Sequence, residues 1–166
     1  SVIDKVGVLD EIFSPGNYED DDLSFRIILA GYKLLLCYDV FIHHFGSISF
    51  KKDVGKFNKL LSGNQLKFKE KWGINLDQLS ICRTDLMELM DLENRDLNIL
   101  EIGCGIGNTL LEIKNINSNA KLYAIEKNKQ AGLIAANFSE VIIGDVEEVE
   151  LPYEKEYFDF YYYNVV

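Results

Sequence analysis

The sequence predicts an α/β fold, with an open parallel half-sheet over residues 76–166 preceded by a small α+β segment over residues 1–75. Three observations lead there. Strand-like and helix-like patterns alternate after residue 76, as they must when parallel strands are joined by crossover helices. The apolar run Ile99-Leu100-Glu101-Ile102 passes directly into a glycine-rich turn, Gly103-Cys104-Gly105-Ile106-Gly107. A hydrophobic content of 48%, with 12% aromatics, is enough for a packed core in a chain of 166 residues.

The elements follow in order. Ser14-Pro15-Gly16-Asn17 is turn-rich, and the acidic run Glu19-Asp20-Asp21-Asp22 leads into Leu23 to Ala30. Leu23, Ile27 and Ala30 share one face at helical spacing, the acids sit where the helix dipole favours them, and Gly31 suits the position after the last turn. A short helix is expected there. Leu34 to Phe45 is dense in apolar, aromatic and β-branched residues and closes with Gly46, so it reads as a mostly buried strand. Between Lys51 and Asn75, seven lysines face only Asp53 and Glu70. Phe57, Leu60, Leu61, Leu66, Phe68 and Trp72 recur loosely at helical spacing, so amphipathic helices with solvated lysines are the plain reading. A surface that meets an anionic substrate or an acidic neighbour is the other. Further on, helices are expected over Leu79–Leu92, Thr109–Asn115 and Gln130–Asn137. Strands are expected over Asn98–Ile102, Lys121–Ile125, Val141–Ile143 and Tyr157–Tyr163.

Bulk properties exclude several classes. A formal net charge of -10 and a pI near 4.7 argue against nucleic acid as a default partner, because phosphate binding needs a basic face. Cys37, Cys82 and Cys104 are odd in number and widely spaced, so neither a disulfide framework nor a zinc site is expected. The most apolar stretch, Ile27 to Ile42, contains Lys33 and Asp39 and is shorter than the roughly 20 residues of a membrane-spanning helix. The first residues lack the features of a secretory signal, so the cytoplasm is the expected location.

The glycine turn sits where α/β folds bring backbone close to a ligand. A nicotinamide or flavin dinucleotide is the first rival reading, but that fingerprint wants a third glycine at the position of Asn108, whereas this chain has it at Gly107. Glu101 just before the turn suits a cationic ligand and opposes a pyrophosphate, and S-adenosylmethionine is a ligand of that kind. Glu126 ends the second expected strand, where a carboxylate accepts hydrogen bonds from ribose hydroxyls. Asp145 ends the third, placed to take an exocyclic amino group of adenine, with Val146 facing the ring. Either acid alone is more often an ordinary surface residue, whereas together at successive strand ends they favour the ligand.

The segment from about Arg83 to Val166 resembles the first, Rossmann-like half of a class I S-adenosylmethionine-dependent methyltransferase. Ile99 to Gly107 matches that family's first motif, and Phe158-Asp159-Phe160-Tyr161-Tyr162-Tyr163 matches its fourth strand. The resemblance implies cofactor contacts at Glu101, Gly103, Cys104, Gly105, Gly107, Glu126, Lys127, Asp145 and Val146. It also implies that catalysis is largely alignment of an acceptor with an already activated methyl group.

Val6 to Glu11, with Tyr18-Glu19-Asp20-Asp21-Asp22-Leu23-Ser24-Phe25-Arg26 after it, resembles the C-terminal part of the GT-A catalytic domain in family 2 glycosyltransferases. Lys69-Glu70-Lys71-Trp72-Gly73 matches a common tail of those enzymes. Asp20 is then the general base toward an acceptor hydroxyl, and His44 a residue that helps hold a divalent metal and the diphosphate of a nucleotide-sugar. The plain alternative is a helix capped by its acids and a histidine in a core. Together the two resemblances imply a bifunctional glycosyltransferase and methyltransferase that builds or modifies glycans, acting on a glycan or small-molecule acceptor. The rival readings are a glycosyltransferase carrying a non-catalytic cofactor-binding module, and an interaction module without catalysis. A four-stranded half-sheet with open edges also invites self-association.

Overall fold

The structure, a computed structural model, describes residues 1–35, 37, 39–43, 53–79, 81–93 and 96–164. The chain forms two compact units, Ser1–Trp72 and Gly73–Val166.

In the first unit, α1 (Val2–Val6) is capped by the Ser1 side chain, a single 3-10 turn follows at Glu11–Phe13, and α2 spans Glu19–Leu29. Helix α2 starts earlier than the apolar pattern indicates, because the four acids form its first turn instead of preceding it. The lysine-rich segment is one helix, α3 (Val54–Trp72). It buries Phe68 against Phe13 and Phe25, with ring centroids 6.2 Å and 5.2 Å apart. The buried Asn64 amide donates to the carbonyls of Phe13 and Gly16 at 2.7 Å and 2.8 Å, fastening the turn before α2 to α3.

Asp22 is the polar centre of this unit and is fully buried. Its Oδ2 accepts from Arg26 Nε at 2.8 Å, and its Oδ1 from Trp72 Nε1 at 3.0 Å and Lys71 Nζ at 2.6 Å. Burying the carboxylate is tolerable because three donors, two of them cationic, reach its two oxygens. The acidic run therefore does more than cap a helix: one member of it joins α2 to α3.

The strand expected over Leu34–Phe45 is not formed by its described residues, and Leu35, Phe41 and Ile42 are more than four-fifths exposed. Strand propensity expresses itself only against a neighbouring strand, and the described part of this unit contains none. His44 lies outside the described residues.

In the second unit, two short helices, α4 (Leu76–Leu79) and α5 (Thr84–Met87), stand where one helix over Leu79–Leu92 is expected. The backbone N–H of Arg83 donates to Thr109 Oγ1 at 3.1 Å, and its guanidinium grips Asp85, so a new helix begins at Thr84. Then come β1 (Asn98–Ile102), α6 (Asn108–Ile116), β2 (Lys121–Glu126), α7 (Lys129–Ala135), β3 (Glu140–Ile143) and β4 (Phe160–Tyr163). The four strands form one parallel sheet in the order β3-β2-β1-β4.

Alternation along the strands gives each face its own core. Ile99, Leu122, Ala124 and Tyr162 pack with Leu110 and Ile113 of α6 and Ala135 of α7. Leu100, Ile102, Tyr123 and Ile125 pack with Tyr153 and Phe158 on the other face. Strand β4 starts later than expected because Tyr157 and Phe158 lie against that face instead of in the ladder. There Tyr157 shares a 2.7 Å hydroxyl contact with Tyr123. Among the described residues no helix is long and apolar enough to cross a membrane.

Asp22→Ala should destabilise the first unit by about 3 kcal/mol, the cost of leaving buried or half-buried cations without their partner. Trp72 is the single tryptophan of the chain and bonds Asp22 directly, so urea unfolding followed by its fluorescence reads this unit alone.

Candidate functional site

All four strands end at one rim. Ile102 pairs in register with Ile125 and Tyr163, and Glu126 with Ile143. Beyond those pairs the chain stays hydrogen-bonded for one more residue: Gly103 N–H donates to the Ile125 carbonyl, Gly144 N–H to Glu126, and Asn164 N–H to Ile102, each at 2.8–2.9 Å. The chain winds outward from β1 through β2 to β3 and then crosses to β4 on the opposite side, so β1 lies at the point where winding reverses. In open α/β sheets that is where a crevice opens at the carboxyl ends.

The turn after β1 requires its glycines. Gly103, Gly105 and Gly107 have φ of 77°, 57° and 85°, a region that side chains disfavour. A Cβ at Gly103 would stand 2.8 Å from the Asn164 carbonyl oxygen, and one at Gly107 would stand 2.7 Å from the Phe138 ring. The turn is thereby pressed between β4 and the end of α7.

A cleft of about 270 Å³ opens at the rim, lined from β1 by Gly103, from β2 by Glu126 and Lys127, and from β3 by Asp145 and Val146. Tyr163 and Asn164 close it from β4. Glu126 is almost wholly buried. Its Oε2 accepts from Gly105 N–H and its Oε1 from Asn128 N–H, both at 2.7 Å. Each oxygen keeps a second lone pair, so the carboxylate can still accept from a ligand hydroxyl. Asp145 accepts from Lys127 Nζ at 2.7 Å and from Glu147 N–H at 3.1 Å, and these contacts hold its carboxyl below the usual carboxylate range. The same contact with Asp145 raises Lys127.

Glu101 lies elsewhere. It is fully buried and does not line the cleft. Burial pushes its carboxyl up to about 8, against the opposing help of Asn164 and Tyr162. At neutral pH it is therefore mostly an uncharged acid, where the sequence leads one to expect a negative charge before the turn. The cause is position: Glu101 is the next to last residue of β1, with neighbours on both sides, and its side chain enters the helix-covered face. Cys104 is also buried, and its thiol is pushed far above its ordinary range by that burial and by the nearby Glu101 and Glu126. Such a thiol is inert as a nucleophile at neutral pH.

The structure thus brings Gly103, Gly105, Glu126, Lys127, Asp145 and Val146 to one rim, with Gly107 behind them and Glu101 and Cys104 below. Sequence reasoning missed Asn164 and Gly144. Both directly follow a strand, as Gly103 does, and that placement was the available signal. In the first unit Asp20 is exposed in the opening turn of α2, where its Oδ1 accepts from Asp21 N–H at 3.0 Å. A separate cleft of about 210 Å³ beside it is lined by Asp10, Glu11, Phe13 and Glu19, but not by Asp20. Among the described residues no group of three or more His, Cys, Asp or Glu side chains is arranged to hold a metal.

Fold and rim together define an open parallel α/β sheet with a glycine-turn cleft at its switch point. No family model matches the chain. It is 41% identical over 49 residues to the tRNA N(3)-methylcytidine methyltransferase trm140 of Schizosaccharomyces pombe (strain 972 / ATCC 24843), a match covering 28% of this chain and 16% of that protein. Similar solved structures include a SAM dependent methyltransferase from Aquifex aeolicus, at 20% identity and a TM-score of 0.37, covering 60% of this chain and 55% of that one. The plantazolicin methyltransferase BpumL in complex with SAH gives 16% identity and a TM-score of 0.38, covering 72% and 42%. StiE O-MT residues 961-1257 gives 18% identity and a TM-score of 0.38, covering 62% and 37%. The chain therefore spans about half or less of the length of these proteins.

Gly107→Ala should destabilise the second unit by at least about 1 kcal/mol, the cost of a left-handed conformation for an L side chain, with the Phe138 contact adding to it. Differential scanning calorimetry would show the loss as a lowered transition for this unit, and an unchanged transition would mean that the turn relaxes freely.

Proposed function

We propose that the second unit binds S-adenosylmethionine at the cleft and serves methyl transfer. The observation that carries this reading is the Glu126 carboxylate, fixed by the Gly105 and Asn128 amides at the floor of a cleft whose other wall presents Asp145. Two acceptors on neighbouring strand ends suit a group with ribose hydroxyls on one side and an amino-bearing base on the other. Gly103 lines the cleft with backbone alone. The residues present therefore fit an adenosyl group.

In this reading Glu126 accepts from the ribose hydroxyls, and Asp145 leaves Lys127 at least in part to accept from the adenine amino group. Val146, exposed at the rim, lies along the ring. The bound cofactor supplies a methyl group already activated on a sulfonium. The protein's task is to hold it in line with an acceptor and to exclude water. The dinucleotide reading is disfavoured by the acids at the rim, where a pyrophosphate would meet repulsion.

The finer reading concerns the whole protein and rests on the acidic run Glu19 to Asp22 in the sequence. There we propose a bifunctional enzyme that transfers sugar from a nucleotide-sugar and methylates the glycan, with Asp20 as base. Asp20→Asn in the intact protein should then abolish sugar transfer, and unchanged turnover would remove Asp20 from that role. The acidic charge of the chain disfavours nucleic acid as methyl acceptor, whereas the named activity of the fission yeast relative favours it. Methylation assays should therefore offer tRNA beside glycan acceptors.

Titration calorimetry with S-adenosylhomocysteine tests the central claim. The protein should bind it and not NAD, and Glu126→Ala should weaken binding by about 1.5–3 kcal/mol, the usual worth of hydrogen bonds to a charged group. Absence of binding under all conditions would sink the reading in favour of a module without catalysis.

A further inference from the structure

Glu101 is the one buried acid near the cleft that the function above leaves unused. Its side chain is fully excluded from solvent, and only one of its oxygens is engaged: Oε1 accepts from Asn164 Nδ2 at 3.2 Å, while Oε2 has no hydrogen-bond partner. The groups that face it come from every neighbouring element. From β4 come Asn164 and Tyr162, whose buried hydroxyl gives the charged form weaker support than Asn164 does. Glu126 at the end of β2 repels a second negative charge, and Arg83 favours one. Cys104 in the turn and Cys82 before α5 feel its charge in turn. An ionised carboxylate with one long hydrogen bond and a neighbouring carboxylate is costly in such surroundings, so the empty site holds the neutral acid.

This buried acid is tied to the cleft by two short routes. Asn164 accepts nothing from Glu101 but donates to it, and the same residue lines the cleft. Gly103, two residues after Glu101, lines it as well. A positive charge brought into the cleft would act on Glu101 across little more than these groups, in a region where charges are weakly screened.

We propose that Glu101 is a specificity-determining residue that favours the cationic cofactor over its neutral product, by releasing its proton to solvent when the cation enters the cleft. The inference rests on the cofactor reading above and deepens it. S-adenosylmethionine carries a sulfonium, and S-adenosylhomocysteine carries a neutral sulfur in its place. After methyl transfer the cation is gone, Glu101 takes up a proton again, and the product loses that part of its hold.

The sign follows from linkage. A cation stabilises the charged form of Glu101, so the group's pKa is lower with S-adenosylmethionine bound than in the empty site, where it is about 8. Affinity for the cation therefore rises with pH between the two values and levels off above the higher one. Each pKa unit by which the cation lowers Glu101 is worth about tenfold in affinity across that window. The α-amino group common to both ligands titrates in the same range, so the ratio of the two affinities is the clean measure.

Dissociation constants of the protein for S-adenosylmethionine and S-adenosylhomocysteine should be measured from pH 6.5 to 9. The preference for the methylated cofactor should rise about three- to tenfold toward high pH. In Glu101→Gln, an isostere of the neutral acid, it should stay flat while both ligands still bind. A flat ratio in the unaltered protein, or an equal rise in the variant, overturns the proposal while leaving the cofactor site intact. Failure of both ligands to bind overturns the cofactor reading itself. Should the variant not fold, calorimetry of the unaltered protein in two buffers of different ionisation enthalpy decides the matter. More protons must be released with S-adenosylmethionine than with S-adenosylhomocysteine, and equal release refutes the role of Glu101.

Discussion

The rim depends on one hydrogen-bonded clamp, in which the Glu126 carboxylate holds the Gly105 amide at 2.7 Å on one oxygen and the Asn128 amide at the same distance on the other. Hydrogen bonds to a charged acceptor are the strong ones, and a buried carboxylate cannot be left without them. The clamp fixes the turn after β1 to the loop after β2. Those two segments are free of the ladder and could otherwise diverge. The left-handed glycines make it feasible, since only such a backbone turns the Gly105 N–H back toward the neighbouring strand. Phe138 and the Asn164 carbonyl then occupy the space that side chains at Gly107 and Gly103 would need.

Three acids near the turn differ because their surroundings differ. Glu126 is buried yet supplied with two amide donors. Asp145 is at the surface beside Lys127, so its charge is held by a partner and by water. Glu101 is buried with a single 3.2 Å bond from Asn164 and weaker support from Tyr162, and it is the acid that burial drives toward neutrality. Asp22 in the first unit is as deeply buried as Glu101 but meets three donors, from Arg26, Lys71 and Trp72. A buried acid is accommodated by the donors that reach it, and Glu126, Glu101 and Asp22 differ in how many they have.

Much of the second unit was legible because its signals are local. The apolar runs at Asn98–Ile102 and Lys121–Glu126 are buried on both faces, so they read as strands without any knowledge of their partners. The glycine turn reads from spacing, and Glu126 from its place at a strand end, whereas Asp145, expected to end the third strand, lies two residues past β3. What was not legible depends on contacts distant in sequence. Nothing in Leu79 to Leu92 announces that Thr109 will take the Arg83 amide and split the helix. The aromatic residues at Tyr157 and Phe158 have full strand propensity, but Tyr123 and Tyr153 draw them onto the sheet face instead. The Leu34–Phe45 run shows the converse, a strong local pattern with no neighbouring strand among the described residues of its unit to pair with.

The neutral state of Glu101 belongs to the same category, and it changes what the glycine turn implies. Read from the sequence, an acid before the turn is a fixed negative charge that attracts any cation and repels any phosphate. In the fold that charge is latent, because the sheet register places the side chain beside Tyr162 and Asn164, away from water. Repulsion of a pyrophosphate then falls to the rim, where Asp145 keeps its charge beside Lys127. In the proposed cofactor site, attraction of a cation would come in addition from a group that acquires its charge only when the cation is there to stabilise it. A site that works as proposed would separate the two tasks that a single exposed carboxylate would confuse: holding the nucleoside, which cofactor and product share, and sensing the one charge by which they differ.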